Sequence, residues 1–128
     1  MIVLDTSALI ASLSGAKPSA GILRSMIERG ERILLPSLVL YEWLRGPRVA
    51  QEISAQDALF PTESVLVFGP REAKLSAQLY KSLKRPRGRE IDLAIAAYAI
   101  VREADLWTLN LADFKDIPHL RLVIPEDR

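Results

Sequence analysis

The sequence has no cysteine and only one histidine, His119, among its 128 residues. Without cysteine there can be no thiolate nucleophile, zinc ribbon or iron–sulfur cluster, and nothing indicates an oxidising compartment. A single imidazole excludes histidine-rich metal sites and confines any Ser/His/Asp arrangement to His119. That residue follows Pro118 just before an apolar run, which is more typical of a turn. The metal ions that these absences do not exclude are hard cations, which prefer oxygen ligands.

Long apolar runs and a strong charge imbalance are also lacking. No stretch approaches the ~18 uncharged apolar residues of a membrane span, and the first residues, Met-Ile-Val-Leu-Asp, include no basic leader. We therefore expect a soluble, cytoplasmic protein. The net charge of +1 gives no overall attraction to nucleic acid, although a local basic patch could supply one. The length favours one domain, residues 1–128, with a core that needs no disulfide.

Short apolar runs alternate along the chain with longer helical patterns. The runs predict five strands, at residues 2–4, 33–35, 65–68, 106–109 and 120–124. Helical spacing predicts one helix with Ala20, Leu23, Met26 and Ile27 on a shared face, and a second with Leu75, Leu79 and Leu83 after Pro70. A third helix is predicted over residues 91–101. Ser37 is a plausible cap for a further helix that ends at Gly46-Pro47. The alternation predicts an α/β fold with a five-stranded, mainly parallel sheet and helices on both faces.

Three acids occur where burial is expensive. Asp5 directly follows the first strand, Glu42 lies in the apolar segment 38–44, and Asp92 interrupts the most apolar helix. An unpaired buried carboxylate costs several kcal/mol, and a bound cation would remove that cost. Each acid also has a purely structural explanation: a helix cap for Asp5, a solvated helix face for Glu42, and a first helical turn for Asp92.

A second polar group, Thr108, Asn110 and Asp113, follows another predicted strand. Parallel sheets place their binding crevice at the carboxyl ends of the strands, where Asp5 also lies. Two carboxylates about 4 Å apart repel by roughly 4 kcal/mol at an effective dielectric of 20, so a converging cluster requires a divalent ion. Oxygen ligands without His or Cys select Mg²⁺ or Mn²⁺. The alternative is that Asn110 caps a short helix with Asp113 in its first turn.

A basic cluster leads directly into the helix that carries Asp92. Its members are Lys81, Lys84, Arg85, Arg87 and Arg89. They could hold phosphate groups at the mouth of the metal site, or they could form a solvated loop around Pro86 and Gly88.

Together these segments resemble the PIN domain, specifically VapC-type toxins. The resemblance rests on MIVLDTSALI at residues 1–10, Glu42, EIDLAIAAYA at residues 90–99 and TLNLADF at residues 108–114, in order along nearly the whole chain. It implies a parallel α/β fold and Mg²⁺- or Mn²⁺-dependent cleavage of single-stranded or loop RNA. It also implies homodimerisation and neutralisation by a small cognate antitoxin.

Asp5, Glu42 and Asp92 match the family's three well-defined acids, which are expected to bind metal. For the fourth position the resemblance leaves Asn110 and Asp113 open, while Thr6 and Thr108 match hydroxyls that fix the acids or the attacking water. The cations match no family feature; their charge alone suggests RNA contact for Lys84, Arg85, Arg87 and Arg89.

We therefore expect a metal-dependent endoribonuclease that leaves 5′-phosphate and 3′-hydroxyl ends. The main alternative is a catalytically weakened PIN-like scaffold that binds RNA or a protein. A phosphoacceptor receiver domain is disfavoured, because Asp57 does not follow a strand and the first strand lacks an adjacent acidic pair.

Overall fold

A computed structural model describes residues 1–14 and 20–125, without the side chain of Ala20. The elements in chain order are β1 (Ile2–Leu4), α1 (Thr6–Leu13), α2 (Ala20–Glu28), β2 (Ile33–Leu34), α3 (Ser37–Arg45), α4 (Ala50–Leu59), α5 (Pro70–Ser82), α6 (Glu90–Val101), β3 (Asp105–Trp107) and β4 (Arg121–Val123), with short 3₁₀ turns at Thr62–Ser64 and Leu111–Asp113. Across these two ranges, the helices are all too short or too polar to cross a membrane.

The strands form one parallel sheet in the order β2-β1-β3-β4. Strand β1 lies inside the sheet, and all three of its residues are buried because neighbouring strands and helices cover them. Its register pairs Leu4 with Trp107, and the Asp5 amide donates to the Trp107 carbonyl at 2.9 Å. Asp5 and Thr108 are therefore neighbours at the carboxyl edge of the sheet, as the α/β interpretation predicts.

The prediction of a strand at residues 65–68, which would have made the sheet five-stranded, is wrong. Only one isolated bridge forms there, between Pro36 and Leu66. The Leu66 amide donates to the Leu35 carbonyl at 2.9 Å, and the Ser37 amide donates to Leu66 at 2.8 Å. The pairing stops there because α3 begins at Ser37, so no extended residue remains to pair with the exposed Val67.

Ser37 is also not the cap that its sequence context suggests. Pro36 holds the N-cap position of α3, and Ser37 is the first helical residue. The Ser37 hydroxyl lies 2.9 Å from the hydroxyl of Tyr98, which is fully buried on α6 and needs a partner there. The end of α3 agrees with the prediction, because Gly46 follows Arg45 as the C-cap.

Helix α6 is the centre of the core. Residues 93–99 are all buried, and the helix packs on β1 and β3 and against α3 and α5. Burying a side chain such as Leu93 or Ile95 contributes about 1.5–3 kcal/mol. This packing confirms the predicted helix at 91–101, which begins one residue earlier at Glu90, and it fixes the position of Asp92 in the first turn.

The other predicted helix faces are confirmed in part. On α2, Leu23 and Met26 are buried whereas Ile27 is exposed, and Ala20 falls outside the described side chains. On α5, Pro70 is in the first turn, and Leu79 is buried. Leu75 and Leu83 are partly buried against the same core. His119 lies in the turn before β4 with φ of 67°, which agrees with its interpretation as a turn residue.

Candidate active site

Asp5 is held at the sheet edge by two hydroxyl groups. Its carbonyl accepts the Ala8 and Leu9 amides and so begins α1, but its side chain makes no helix-capping hydrogen bond. Oδ2 instead accepts hydrogen bonds from Thr108 at 2.7 Å and Ser7 at 2.9 Å. The side chain is only 4% exposed. The backbone of Asp5 therefore caps α1, while the Asp5 carboxylate is fixed in one orientation at the carboxyl ends of β1 and β3.

The same two hydroxyls also bind the chain that follows β3. Ser7 accepts the Leu109 amide and Thr108 accepts the Asn110 amide, each at 3.0 Å, and the two hydroxyl oxygens are 3.2 Å apart. Thr108 was predicted as a supporting hydroxyl. Ser7 was missed, although it lies in the Asp-Thr-Ser motif that carried the resemblance.

Glu42 is held from two sides on α3. Its Oε1 accepts a hydrogen bond from the Thr6 hydroxyl at 2.5 Å, and its Oε2 lies 3.3 Å from the Arg45 guanidinium. Glu42 is partly buried, so it does not lie on the fully solvated helix face that the structural explanation required. Thr6 therefore contacts one of the predicted acids, and Arg45 is a neighbour that the sequence did not indicate.

Three other acids act electrostatically on Asp92. Burial, followed by the negative charges of Asp5, Asp113 and Glu42 in that order, raises the pKa of Asp92 from 3.8 to about 6. Arg89 acts in the opposite direction. Such effects need short separations, so the structure brings together acids from the start of α1, from α3, from α6 and from the turn after β3.

Asn110 and Asp113 are both exposed in the turn after β3. Asn110 holds the N-cap position, yet its side chain makes no capping hydrogen bond, and its carbonyl accepts the Asp113 amide at 3.0 Å. The negative charge of Asp113 helps to raise the pKa of Asp92, so Asp113 lies within electrostatic range of Asp92.

The donor set fits a hard divalent cation in its chemistry. All four acids offer carboxylate oxygens, which Mg²⁺ and Mn²⁺ prefer. Within residues 1–14 and 20–125, no three acidic or imidazole side chains form a ready group at metal-ligand spacing. Glu42 is instead engaged by the Thr6 hydroxyl and the Arg45 guanidinium.

The basic cluster lies beside this site. Lys84, Arg85 and Arg89 line an open groove of about 550 Å³ together with Asp113 and Lys115. Arg87 lines an adjoining pocket. Arg89 is already engaged in an ion pair with Asp116 at 2.6 Å. Lys115 was not predicted, because it is an isolated cation in the sequence.

Comparisons with known proteins agree with the fold and the motifs. Ribonuclease VapC19 of Mycobacterium tuberculosis is 32% identical, covering 94% of this chain and 98% of that protein. Among solved structures, DNA-bound VapBC from Salmonella typhimurium is 23% identical with a TM-score of 0.78, covering 95% of this chain and 96% of that one.

VapBC-1 from nontypeable Haemophilus influenzae is 26% identical with a TM-score of 0.69, covering 96% of this chain and 97% of that one. The family model described as the PIN domain matches residues 2–120. The sequence resemblance is confirmed, and the chain belongs to the PIN-domain family.

Proposed function

We propose that the chain is a metal-dependent endoribonuclease that acts as the toxin of a toxin–antitoxin pair. The observation that carries the proposal is Asp92, whose pKa is raised by burial and by three other acids near the carboxyl edge of the sheet. Strongly perturbed carboxylates that cluster at such an edge are typical of a catalytic site. The similarity to a protein named as a ribonuclease supports RNA as the substrate.

The proposed metal ligands are Asp5, Glu42, Asp92 and Asp113. We prefer Asp113 to Asn110 at the fourth position because its charge acts on Asp92; the Asn110 side-chain oxygen is the alternative. When bound, Mg²⁺ or Mn²⁺ would supply Lewis-acid stabilisation at the phosphate and a lower pKa for water.

The chain's own groups orient the reactants and accept a proton. Asp5 is preorganised because Ser7 and Thr108 fix its carboxylate before substrate binds. Hydrolysis forms a bond between the water oxygen and phosphorus and breaks the bond to the 3′-oxygen. Glu42 or another carboxylate of the set takes the proton from water, and the 3′-oxygen leaves with the bonding electron pair and becomes a hydroxyl by taking a proton from solvent.

The groove beside Asp113 is the proposed path of the RNA backbone. Lys84, Arg85 and Arg87 are exposed, and Lys115 extends their positive charge to the other side of the groove. Such cations neutralise phosphates without reading sequence, so they would position RNA near the acids.

Removing divalent metal is expected to lower RNA cleavage by roughly a thousandfold, because several kcal/mol of transition-state stabilisation are lost. The measurement is cleavage of an RNA oligonucleotide by the purified protein in Mg²⁺, in Mn²⁺ and in excess EDTA, with the ends mapped. We expect 5′-phosphate and 3′-hydroxyl products. Equal cleavage in EDTA would contradict the proposal, and metal-independent RNA binding without turnover would support the scaffold function instead.

We further propose a small cognate antitoxin, a homodimeric state and a cytoplasmic location. The solved neighbours support the first point, since they include toxin–antitoxin complexes. The absence of cysteine suits a reducing compartment. We expect the product of a small reading frame immediately upstream to co-purify with this chain and to block its cleavage of RNA. Co-expression followed by an activity assay tests this, and an upstream product that neither binds nor inhibits argues against the pair.

A further inference from the structure

Arg89 joins two parts of the site that are distant in sequence. It holds the N-cap position of α6, three residues before Asp92. Its guanidinium contacts Asp116 at two points, with Nη1 donating to Oδ2 at 2.9 Å and Nη2 donating to Oδ1 at 2.6 Å. Nη2 also donates to the carbonyl of Asp113 at 2.9 Å. One side chain therefore connects the start of α6 to the turn that carries Asp113.

This arrangement is unsuited to phosphate binding. A two-point guanidinium–carboxylate pair directs its donors at the carboxylate, and its planar shape fixes the orientation. The Arg89 side chain is only 20% exposed. The hydrogen bond also raises the pKa of Arg89 and lowers that of Asp116, so both groups keep their charges. Lys84 and Arg85, in contrast, are exposed cations in the same groove.

The turn also needs a restraint. Asp113 and Asp92 carry like negative charges, which repel each other. Inside the turn, the Asp113, Phe114 and Lys115 amides donate to carbonyls of Asn110 and Leu111, which are all close in sequence. Arg89 contributes the opposing positive charge, which interacts with both acids.

We propose that Arg89 is a positioning residue that, with Asp116, holds the Asp113 turn against the start of α6 and so sets the spacing of Asp113 and Asp92. This inference rests on the proposed function and assigns Arg89 a role other than RNA contact.

The test compares Arg89→Ala, Arg89→Lys and Asp116→Asn with Arg121→Ala as the matched control. Arg121 forms an exposed pair with Asp105 at 2.9 Å, but both residues begin their strands at the opposite edge of the sheet. Four quantities are measured: the kcat and the KM of RNA cleavage, Mn²⁺ affinity by calorimetry, and RNA affinity in EDTA. Hydrogen exchange of the 113–115 amides is followed without metal.

The three site variants are expected to lower kcat and Mn²⁺ affinity by about tenfold, since partners that orient metal ligands have effects of this size. Amide exchange at 113–115 becomes faster, while RNA affinity in EDTA and KM stay within about twofold of wild type. Arg89→Lys behaves like Arg89→Ala, because lysine keeps the charge but not the two-point contact. The double variant Arg89→Ala/Asp116→Asn is no worse than either single variant. Lys84→Ala/Arg85→Ala shows the opposite pattern, with weaker RNA binding and unchanged Mn²⁺ affinity.

Wild-type kcat and Mn²⁺ affinity in Arg89→Lys or Asp116→Asn would overturn the inference. So would a loss of RNA affinity in EDTA for Arg89→Ala, or equal losses in Arg121→Ala. If the wild-type protein fails to cleave RNA, the proposed function fails, but amide exchange still tests whether Arg89 and Asp116 hold the Asp113 turn. Unchanged exchange in Arg89→Ala and Asp116→Asn overturns that inference.

Discussion

Asp92→Asn is expected to make the metal-free protein more stable and to remove its RNA cleavage. Asp92 is an acid whose pKa in the folded protein, about 6, lies above its ordinary value of 3.8. The folded state therefore binds a proton more tightly than the unfolded state between these two values. Stability falls as pH rises through this window, and the whole penalty is present above pH 6. Asparagine keeps the shape and never ionises, so it avoids the penalty.

The expected gain in unfolding free energy is on the order of 1–2 kcal/mol near neutral pH. The full shift would correspond to about 3 kcal/mol, which we reduce because Asp92 is only partly buried and water screens its charge. The gain should vanish below the ordinary pKa of aspartate. Urea unfolding in EDTA at acidic and neutral pH measures both values.

Asp57→Asn is the matched control, since Asp57 is exposed on α4. It should change neither stability nor activity. An Asp92→Asn protein that is less stable than wild type at neutral pH, or that still cleaves RNA at the wild-type rate, would contradict the assignment of Asp92 to a repulsive metal-binding cluster.

Asp5→Asn is expected to lower kcat by roughly a thousandfold without unfolding the protein. The amide oxygen of asparagine can still accept the hydrogen bonds that Ser7 and Thr108 donate to Asp5. What is lost is the negative charge that a divalent cation requires. Cleavage assays together with thermal unfolding separate the two effects, because activity should fall while the melting temperature stays within a few degrees.

Asp105→Asn serves as the control for this substitution. Asp105 begins β3 at the opposite edge of the sheet and pairs with Arg121 on the surface. Its replacement should leave cleavage unchanged. Retention of wild-type kcat in Asp5→Asn would exclude Asp5 from the proposed chemistry.

Buried elements with a strong pattern could be predicted from the sequence. The run before Asp5 and the apolar stretch 91–101 both form as expected, because complete burial requires nearly every residue to be apolar. Helix α4 was not predicted. Only Gln56 of its ten residues is buried, so no apolar stripe marks it. The bridge at Leu66 depends on where the neighbouring chain turns into α3, which local sequence does not encode.

The meeting of Asp5 with Thr108 could be predicted because parallel strands present their carboxyl ends at one edge. The partners of the other site residues could not. Arg89 lies 27 positions from Asp116, and nothing in the basic cluster indicates which of its cations is paired. Asn110 and Asp113 share an exposed turn, so the choice between them depends on position relative to Asp92.

The central position of β1 affects the order in which the protein can become active during its synthesis. Strand β1 is flanked on one side by β3, which the ribosome makes about a hundred residues later. Asp5 can meet Thr108 only after the residues between them have been made, roughly 5–20 s after Asp5 itself is joined at ordinary translation rates. A nascent chain that has not yet reached Thr108 therefore carries no assembled site, so the ribosome and messenger that produce it are spared until that point.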